Sequence, residues 1–175
     1  GVKRIGDSAF SGCGDLTSIG IPNSVTEIGD EAFLECSKLK GIVIPDSVTE
    51  IGEKAFYNCK NMKTVTISKG LKKIEDKTFD GCSSLKNITI PKSVTEIGYG
   101  AFHGCSGLTD VVIPDSVTEI GLQAFMRCSS LKSITIPEGV TEIKQSVFLG
   151  CSSLEDVTLP SGLTTIWLQA FTECS

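Results

Sequence analysis

The sequence is poor in the residues that most enzymes and nucleic-acid binders use. It has one histidine, one tryptophan and two tyrosines in 175 residues, and its 21 acidic residues outnumber 16 basic ones, for a net charge of -5. Nucleic-acid binders neutralise phosphates with an excess of Lys and Arg. No apolar run approaches the roughly 18 residues that span a bilayer, and the first residues lack the apolar stretch of a signal peptide. We therefore expect no nucleic-acid partner and no membrane insertion of this segment, with any targeting signal outside it.

Motifs for metal, phosphate and nucleophilic chemistry are also missing. The sequence has no Cys-x-x-Cys pair and no phosphate-binding loop, and a nucleophile needs a nearby base. The single histidine, His103, lies in a variable position two residues before Cys105 and is expected to be exposed. The sequence therefore predicts no catalytic residue, no cofactor and no metal site.

A column of glutamates offers one alternative to that view, since carboxylates bind cations and transfer protons. Its members recur at the same place in successive units and are Glu27, Glu50, Glu96, Glu119 and Glu142. A residue that recurs in every unit is more simply a solvated edge, and Arg4 and Lys73 interrupt the like charges.

What the sequence does contain is a strict period, equal to the interval from one cysteine to the next. The eight cysteines follow it, at Cys13, Cys36, Cys59, Cys82, Cys105, Cys128, Cys151 and Cys174. The eight phenylalanines follow it too, from Phe10 to Phe171. Such a period is the signature of stacked repeats that bury their apolar faces against one another. We predict one solenoid domain, 1–175, with seven complete units over 2–162 and a partial unit over 163–175. Because neither end shows a polar capping unit, we expect it to be a fragment of a longer protein.

The pattern within one unit predicts its local structure. Residues 85–91 alternate apolar and polar positions and end at a proline, which predicts one short strand per turn. Strands that return at this constant interval must run parallel, with Asn87 and Thr89 facing outward. On the other side of the turn, Ile51, Ala55 and Cys59 are four residues apart, which favours a single helical or 3-10 turn. The predicted class is therefore α/β.

The repeated pattern L-x-x-I-x-I-P-x-x-V-x-x-I-x-x-x-A-F-x-x-C resembles the BspA-like leucine-rich repeats, also called the Treponema pallidum type. The resemblance covers essentially the whole chain, and the Ala-Phe-x-x-Cys core is specific to that class. It implies a right-handed solenoid with a parallel sheet on its concave face and helical or 3-10 turns on its convex side. It also implies a secreted or surface-exposed protein of a host-associated microbe, bacterial or protist, and a role in adhesion. The family has no shared binding motif, so no functional residue is carried over.

The cysteines leave two alternatives. Eight cysteines in an extracellular protein suggest disulfides, and cysteines in adjacent turns would lie about 5 Å apart, within bridging range. Each one, however, has Phe three residues before it and an apolar residue three residues after it in most units. Buried free cysteines behave as small apolar side chains, and stacked parallel side chains rarely meet the torsion of a bridge. We favour free thiols.

Three outward-facing sets of residues are candidate partner-binding surfaces. The first is the lysine column, defined as Lys40, Lys63 and Lys86, within residues 38–92, which hold eleven lysines against six acidic residues. Such a segment favours an anionic partner, although solvated faces also accumulate charge. The second is the variable column after Phe, represented by Tyr57, His103 and Met126. The third is the outward strand face, represented by Thr66, Thr89 and Asp110, where threonine is also simply favourable strand chemistry.

These observations favour a non-enzymatic binding or adhesion module of a secreted or cell-surface protein. Its expected partner is a host or microbial surface protein, or an anionic glycan, and exposed end strands could pair in end-to-end self-association. The alternative is a passive spacer that projects another domain. Enzymatic activity would require a domain outside these residues.

Overall fold

A computed structural model of the chain describes residues 1–174 as a parallel β-solenoid of about seven turns. Most turns contribute two short strands, numbered together in chain order. The first series has two residues per strand: β1 (Arg4–Ile5), β2 (Glu27–Ile28), β4 (Glu50–Ile51), β6 (Lys73–Ile74), β8 (Glu96–Ile97), β10 (Glu119–Ile120), β12 (Glu142–Ile143) and β14 (Thr165–Ile166). The second has three: β3 (Gly41–Val43), β5 (Thr64–Thr66), β7 (Asn87–Thr89), β9 (Asp110–Val112), β11 (Ser133–Thr135) and β13 (Asp156–Thr158).

All strand pairs are parallel, and paired residues are one repeat apart. The first series forms the sheets β1-β2-β4, β6-β8-β10 and β12-β14, and the second forms β3-β5, β7-β9 and β11-β13. The register pairs Ile88 with Val111 inside and Thr89 with Val112 outside. The predicted solenoid of parallel strands is therefore confirmed. The short Glu-Ile segments form a second series of strands, which was not predicted from the sequence.

The predicted helical or 3-10 turns, and with them the α/β class, are wrong, since residues 1–174 contain strands and turns but no helix. The amide of Tyr57 donates to the carbonyl of Lys54 in its own turn at 2.9 Å, whereas the amide of Phe56 donates to the carbonyl of Thr78 in the next turn at 2.9 Å. A helix needs consecutive amides bonded within the segment. Lys54 and Asn58 also have φ values of 53° and 57°, which a right-handed helix excludes.

The core is a continuous stack of phenylalanines along the solenoid axis. Ring centroids of successive phenylalanines are 5.1 to 5.6 Å apart, and their planes differ by 0 to 10°. From Phe33 to Phe148 each ring is almost completely buried. This spacing follows the separation of neighbouring parallel strands, and near-parallel rings at such distances are offset stacks, which aromatic pairs prefer. The repeat length therefore places identical side chains on one another.

The cysteines are free thiols, and each one from Cys36 to Cys174 donates a hydrogen bond to a backbone carbonyl. Sγ of Cys59 donates a hydrogen bond to the carbonyl of Phe33 at 3.2 Å, and Sγ of Cys82 does the same to Phe56 at 3.3 Å. Burial raises the pKa of the Cys59 thiol to about 12. The thiols thus connect adjacent turns as hydrogen-bond donors while remaining part of the apolar core.

Candidate binding surface

The lysine column is exposed and carries unneutralised charge. Lys40, Lys63 and Lys86 lie in successive turns, and the amide of Lys63 donates to the carbonyl of Lys40 at 2.8 Å, which stacks their backbones. None of the three forms an ion pair with a carboxylate of residues 1–174, whereas Nζ of Lys38 is 2.6 Å from Asp15 and Nζ of Lys54 is 3.1 Å from Glu31. The three predicted lysines therefore lie in successive turns, exposed and without a carboxylate partner in residues 1–174.

The outward strand face forms part of a groove of about 1170 Å³, which we call the threonine groove. It lies over β5, β7 and β9, and Thr66, Asn87 and Thr89 line it. Lys69 and Lys92 also line it, because each follows one of these strands. Lys69 and Lys92 were not among the candidate residues selected from the sequence. The signal that could have identified them was their position shortly after the end of a predicted strand.

The third predicted residue of the strand face, Asp110, is exposed at the first position of β9 but does not line the threonine groove. The acidic residue that lines it is Asp115, in the same column as Lys69 and Lys92. The groove is therefore basic over two turns and becomes acidic in the third.

One buried hydroxyl in the wall of this groove has no hydrogen-bond partner. Ser47 and Ser116 donate from Oγ to the carbonyls of Val25 and Val94 in the preceding turns, both at 2.7 Å. At the equivalent position Ser93 lines the threonine groove, and its Oγ is the only buried side-chain N or O atom in residues 1–174 without a partner. An unsatisfied buried hydroxyl costs free energy. The wall of the threonine groove therefore lacks, at Ser93, a hydrogen bond that Ser47 and Ser116 form in other turns.

The variable column after Phe is less exposed than expected. Tyr57, His103 and Met126 are all half-buried. Nδ1 of His103 lies 3.0 Å from Oδ1 of Asp80 in the preceding turn, and the Asp80 side chain is buried. The expectation of an exposed His103 is therefore wrong, because an aspartate in its own column holds it. These residues line no part of the threonine groove.

Two members of the glutamate column, Glu27 and Glu50, line a second groove of about 740 Å³, which Arg4 and Lys73 also line. Nζ of Lys73 is 2.9 Å from Glu75 and 3.1 Å from Glu96, and these hydrogen bonds raise the pKa of Lys73. Nε of Arg4 is 2.7 Å from Glu27. Within residues 1–174 no group of three or more His, Cys, Asp or Glu side chains could hold a metal ion. Ion pairs with basic side chains therefore hold Glu27, Glu96 and Glu119 of this column.

The described part of the chain also contains no helix long and apolar enough to cross a membrane.

Comparison with known proteins identifies the repeat. The family model for the BspA type leucine rich repeat region matches in six copies, over residues 3–132 and 51–175. The crystal structure of a T. pallidum leucine-rich repeat protein is 31% identical with a TM-score of 0.71, covering 94% of this chain and 67% of that one. A leucine-rich cell surface protein from Faecalibacterium prausnitzii A2-165 is 34% identical with a TM-score of 0.66, covering 99% and 55%.

The pneumococcal vaccine antigen PcpA is 24% identical with a TM-score of 0.59, covering 93% of this chain and 57% of its own, and it shares the fold. A comparison with curated proteins returned no match. The chain thus spans between about half and two thirds of these solved relatives. Since the family model and the two relatives at 31% and 34% identity cover nearly all of it, this chain belongs to the BspA type leucine-rich repeat family.

Proposed function

We propose that this chain is a non-enzymatic binding module that mediates adhesion for a secreted or surface-exposed microbial protein. The observation that carries the proposal is the lysine column: three exposed ammonium groups in successive turns, without a carboxylate partner in the described residues. A concentrated positive charge on an otherwise acidic protein steers an anionic partner to that site and orients it. The partner is negatively charged: a host or microbial surface protein with an acidic patch, or an anionic glycan.

The properties of a relative support the surface location. The Faecalibacterium prausnitzii protein, 34% identical over 99% of this chain, is described as a cell surface protein. An adhesion module must be displayed where it can meet its partner, and a solenoid presents many equivalent surface columns for that purpose.

The state of the reactive side chains supports a non-enzymatic role. Nucleophilic cysteines are exposed thiolates with a lowered pKa. Here burial raises the pKa of Cys36 to about 11 and that of Cys151 to about 12, and both thiols donate to backbone carbonyls. His103 is already bonded to Asp80. These groups serve the fold.

A passive spacer is the second candidate, and the continuous core favours it. Stacked rings from Phe10 to Phe171 and turn-to-turn hydrogen bonds connect each turn to the next along the axis. A spacer would project another domain and would bind nothing itself.

Binding of immobilised extracellular matrix proteins and mucin, measured by surface plasmon resonance, separates the two candidates. We expect binding that is lost when Lys40, Lys63 and Lys86 are all changed to Glu. A matched triple change at the exposed residues Lys3, Lys72 and Lys132 alters the net charge equally and should retain most of the binding. Absence of binding to every surface at low salt would favour the spacer. Equal losses of binding in the two triple variants would show that net charge, and not the lysine column, determines binding.

A further inference from the structure

Two pairs of lysines flank β5 and β7, the two strands under the basic part of the threonine groove. Lys63 and Lys86 immediately precede β5 and β7, and Lys69 and Lys92 follow the ends of the same strands. The six residues from one side to the other span at most about 20 Å of extended chain. We propose that the threonine groove binds a linear sulfated polysaccharide. This inference rests on the proposed adhesion function and names the chemical class of its partner.

The four ammonium groups are available to the anion. All four lysines are exposed, and Lys63, Lys86 and Lys92 have no ion-pair partner among residues 1–174. Nζ of Lys69 is 3.7 Å from Asp46, but the two side chains are 83% and 62% exposed. An ion pair with such exposed side chains contributes little to stability. A sulfate group therefore competes readily for Lys69.

The floor between the lysines suits a polyhydroxylated ligand better than an acidic protein. In these two turns its exposed side chains are Thr66, Asn87 and Thr89, whose hydroxyl and amide groups both donate and accept hydrogen bonds. Protein interfaces depend on aromatic and arginine anchors in their centre, and the residues that line this groove include neither type. Sugar hydroxyls match the floor, and sulfates match the lysines.

The unpartnered hydroxyl of Ser93 distinguishes this turn from the neighbouring ones. It lies in the groove wall directly after Lys92, and its equivalents Ser47 and Ser116 are bonded to the preceding turn. This hydroxyl is buried, so it marks a local difference in the wall and not a contact for a ligand.

The third turn defines where the site ends. Asp115 replaces lysine in the column of Lys69 and Lys92, and Asp110 replaces the amide of Asn87. Asp110 is the register partner of Asn87 in the adjacent strand, so these carboxylates repel an anionic chain that extends beyond β7. The site therefore spans two turns, and Asp115→Lys should lengthen it.

Isothermal titration calorimetry with a size-defined heparin fragment tests the proposal at low and physiological salt. We expect Lys69→Gln with Lys92→Gln to weaken binding about tenfold. Thr66→Val with Thr89→Val should weaken it by several fold while keeping the fold, because valine is a good strand residue. Asp115→Lys should strengthen it. The control pair, Lys72→Gln with Lys132→Gln, changes charge equally outside the groove and should bind like the parent, and circular dichroism verifies that each variant is folded.

Two further probes distinguish groove recognition from charge alone. Desulfated heparin should not bind, and poly-glutamate should bind more weakly than the heparin fragment, without sensitivity to the threonine changes. Equal affinity for poly-glutamate, or equal losses in the groove and control variants, would overturn the proposal. If matrix proteins bind through the lysine column but the heparin fragment does not, this inference fails and the adhesion function stands. If the heparin fragment binds and no matrix protein does, protein adhesion fails and the groove assignment stands.

Discussion

Nζ of Lys73 lies 3.1 Å from Oε1 of Glu96, its register partner in the next turn, and separates Glu50 from Glu96 along the glutamate column. Like charges opposite one another in a sheet are destabilising. We expect Lys73→Glu, which joins the glutamates into an unbroken row, to lower the free energy of unfolding by about 1 kcal/mol more than Lys72→Glu does. Urea unfolding measures both variants. The difference should shrink in molar salt, which screens exposed charges, and a difference that persists there would contradict an electrostatic origin.

The buried thiols make stability fall at alkaline pH. An unfolded thiol titrates near 9.0, whereas burial raises the pKa of Cys59 to about 12 in the folded protein. Because the native state holds the proton longer, the thiol contribution is complete below pH 9.0 and is lost as the pH rises towards 12. Each such thiol lowers the free energy of unfolding by about 1.4 kcal/mol per pH unit within that window.

Urea unfolding across this range, compared between the parent protein and Cys59→Ala, measures the effect of one thiol. The variant should show a slope smaller by one proton, with a constant offset below pH 9.0. Cys13 is exposed, so Cys13→Ala is the matched control and should leave the slope unchanged. Equal slopes in parent and Cys59→Ala would show that the thiol does not carry the effect.

Exposure also predicts the order in which the thiols react. Cys13 is exposed, Cys174 is intermediate, and Cys36 to Cys151 are buried. In the native protein iodoacetamide should label Cys13 first, and labelling of Cys82 or Cys105 should require unfolding. Proteolysis and mass spectrometry after timed labelling report each site. Early labelling of Cys105 would indicate that the central turns open locally.

A left-handed backbone at Arg127 should make glycine stabilising there. Arg127 has a φ of 60°, and its column holds glycine in both neighbouring turns, with Gly104 at 67° and Gly150 at 75°. A non-glycine residue in this conformation costs roughly 1–2 kcal/mol, part of which the greater chain entropy of glycine offsets. We expect Arg127→Gly to raise the free energy of unfolding by about 0.5–1 kcal/mol in urea titrations. Arg127→Ala removes the same charge but keeps the strain, so a similar gain in both variants would contradict the backbone explanation.

The phenylalanine stack should be most sensitive at its centre. Phe102 is fully buried between Phe79 and Phe125, with centroid distances of 5.5 and 5.3 Å. Phe102→Ala leaves a cavity and should cost about 3–5 kcal/mol. Phe10 is only partly buried and stacks on one ring, Phe33, so Phe10→Ala should cost clearly less. Thermal and urea unfolding compare the two variants. An equal loss of unfolding free energy in both would contradict the prediction that the centre of the stack is more sensitive than its end.

Much of the fold follows from the period alone, because a fixed interval stacks Phe on Phe and Cys on Cys whatever the turns look like. The strand at Asn87–Thr89 was correctly predicted from its alternation. The strand at Glu96–Ile97 was missed, since two residues are too short for a period to show. The helical turn was wrongly predicted because Ile51, Ala55 and Cys59 have helical spacing, and nothing in the sequence reveals that Lys54 is left-handed.

The candidate surface was only partly predictable. Lys63 and Lys86 stand out as a repeated column, and the structure places them together. Lys69 and Lys92 are candidate residues because they line the threonine groove. The sequence does not reveal this groove, because it depends on how the strand ends are arranged in space. The missing partner of the Ser93 hydroxyl likewise depends on a neighbouring turn. That any of these residues binds a partner remains a prediction.

The constant register between paired strands, in which each residue lies beside its equivalent one repeat away, limits how this chain can change in length. A deletion or insertion of one whole turn joins two surfaces that were already complementary, so the rings and thiols remain stacked. A change of one or two residues displaces every inward side chain of that turn relative to both neighbours. Recombination between repeats is therefore tolerated, while short insertions and deletions are not, and surface columns such as the lysines can be gained, lost or duplicated one turn at a time.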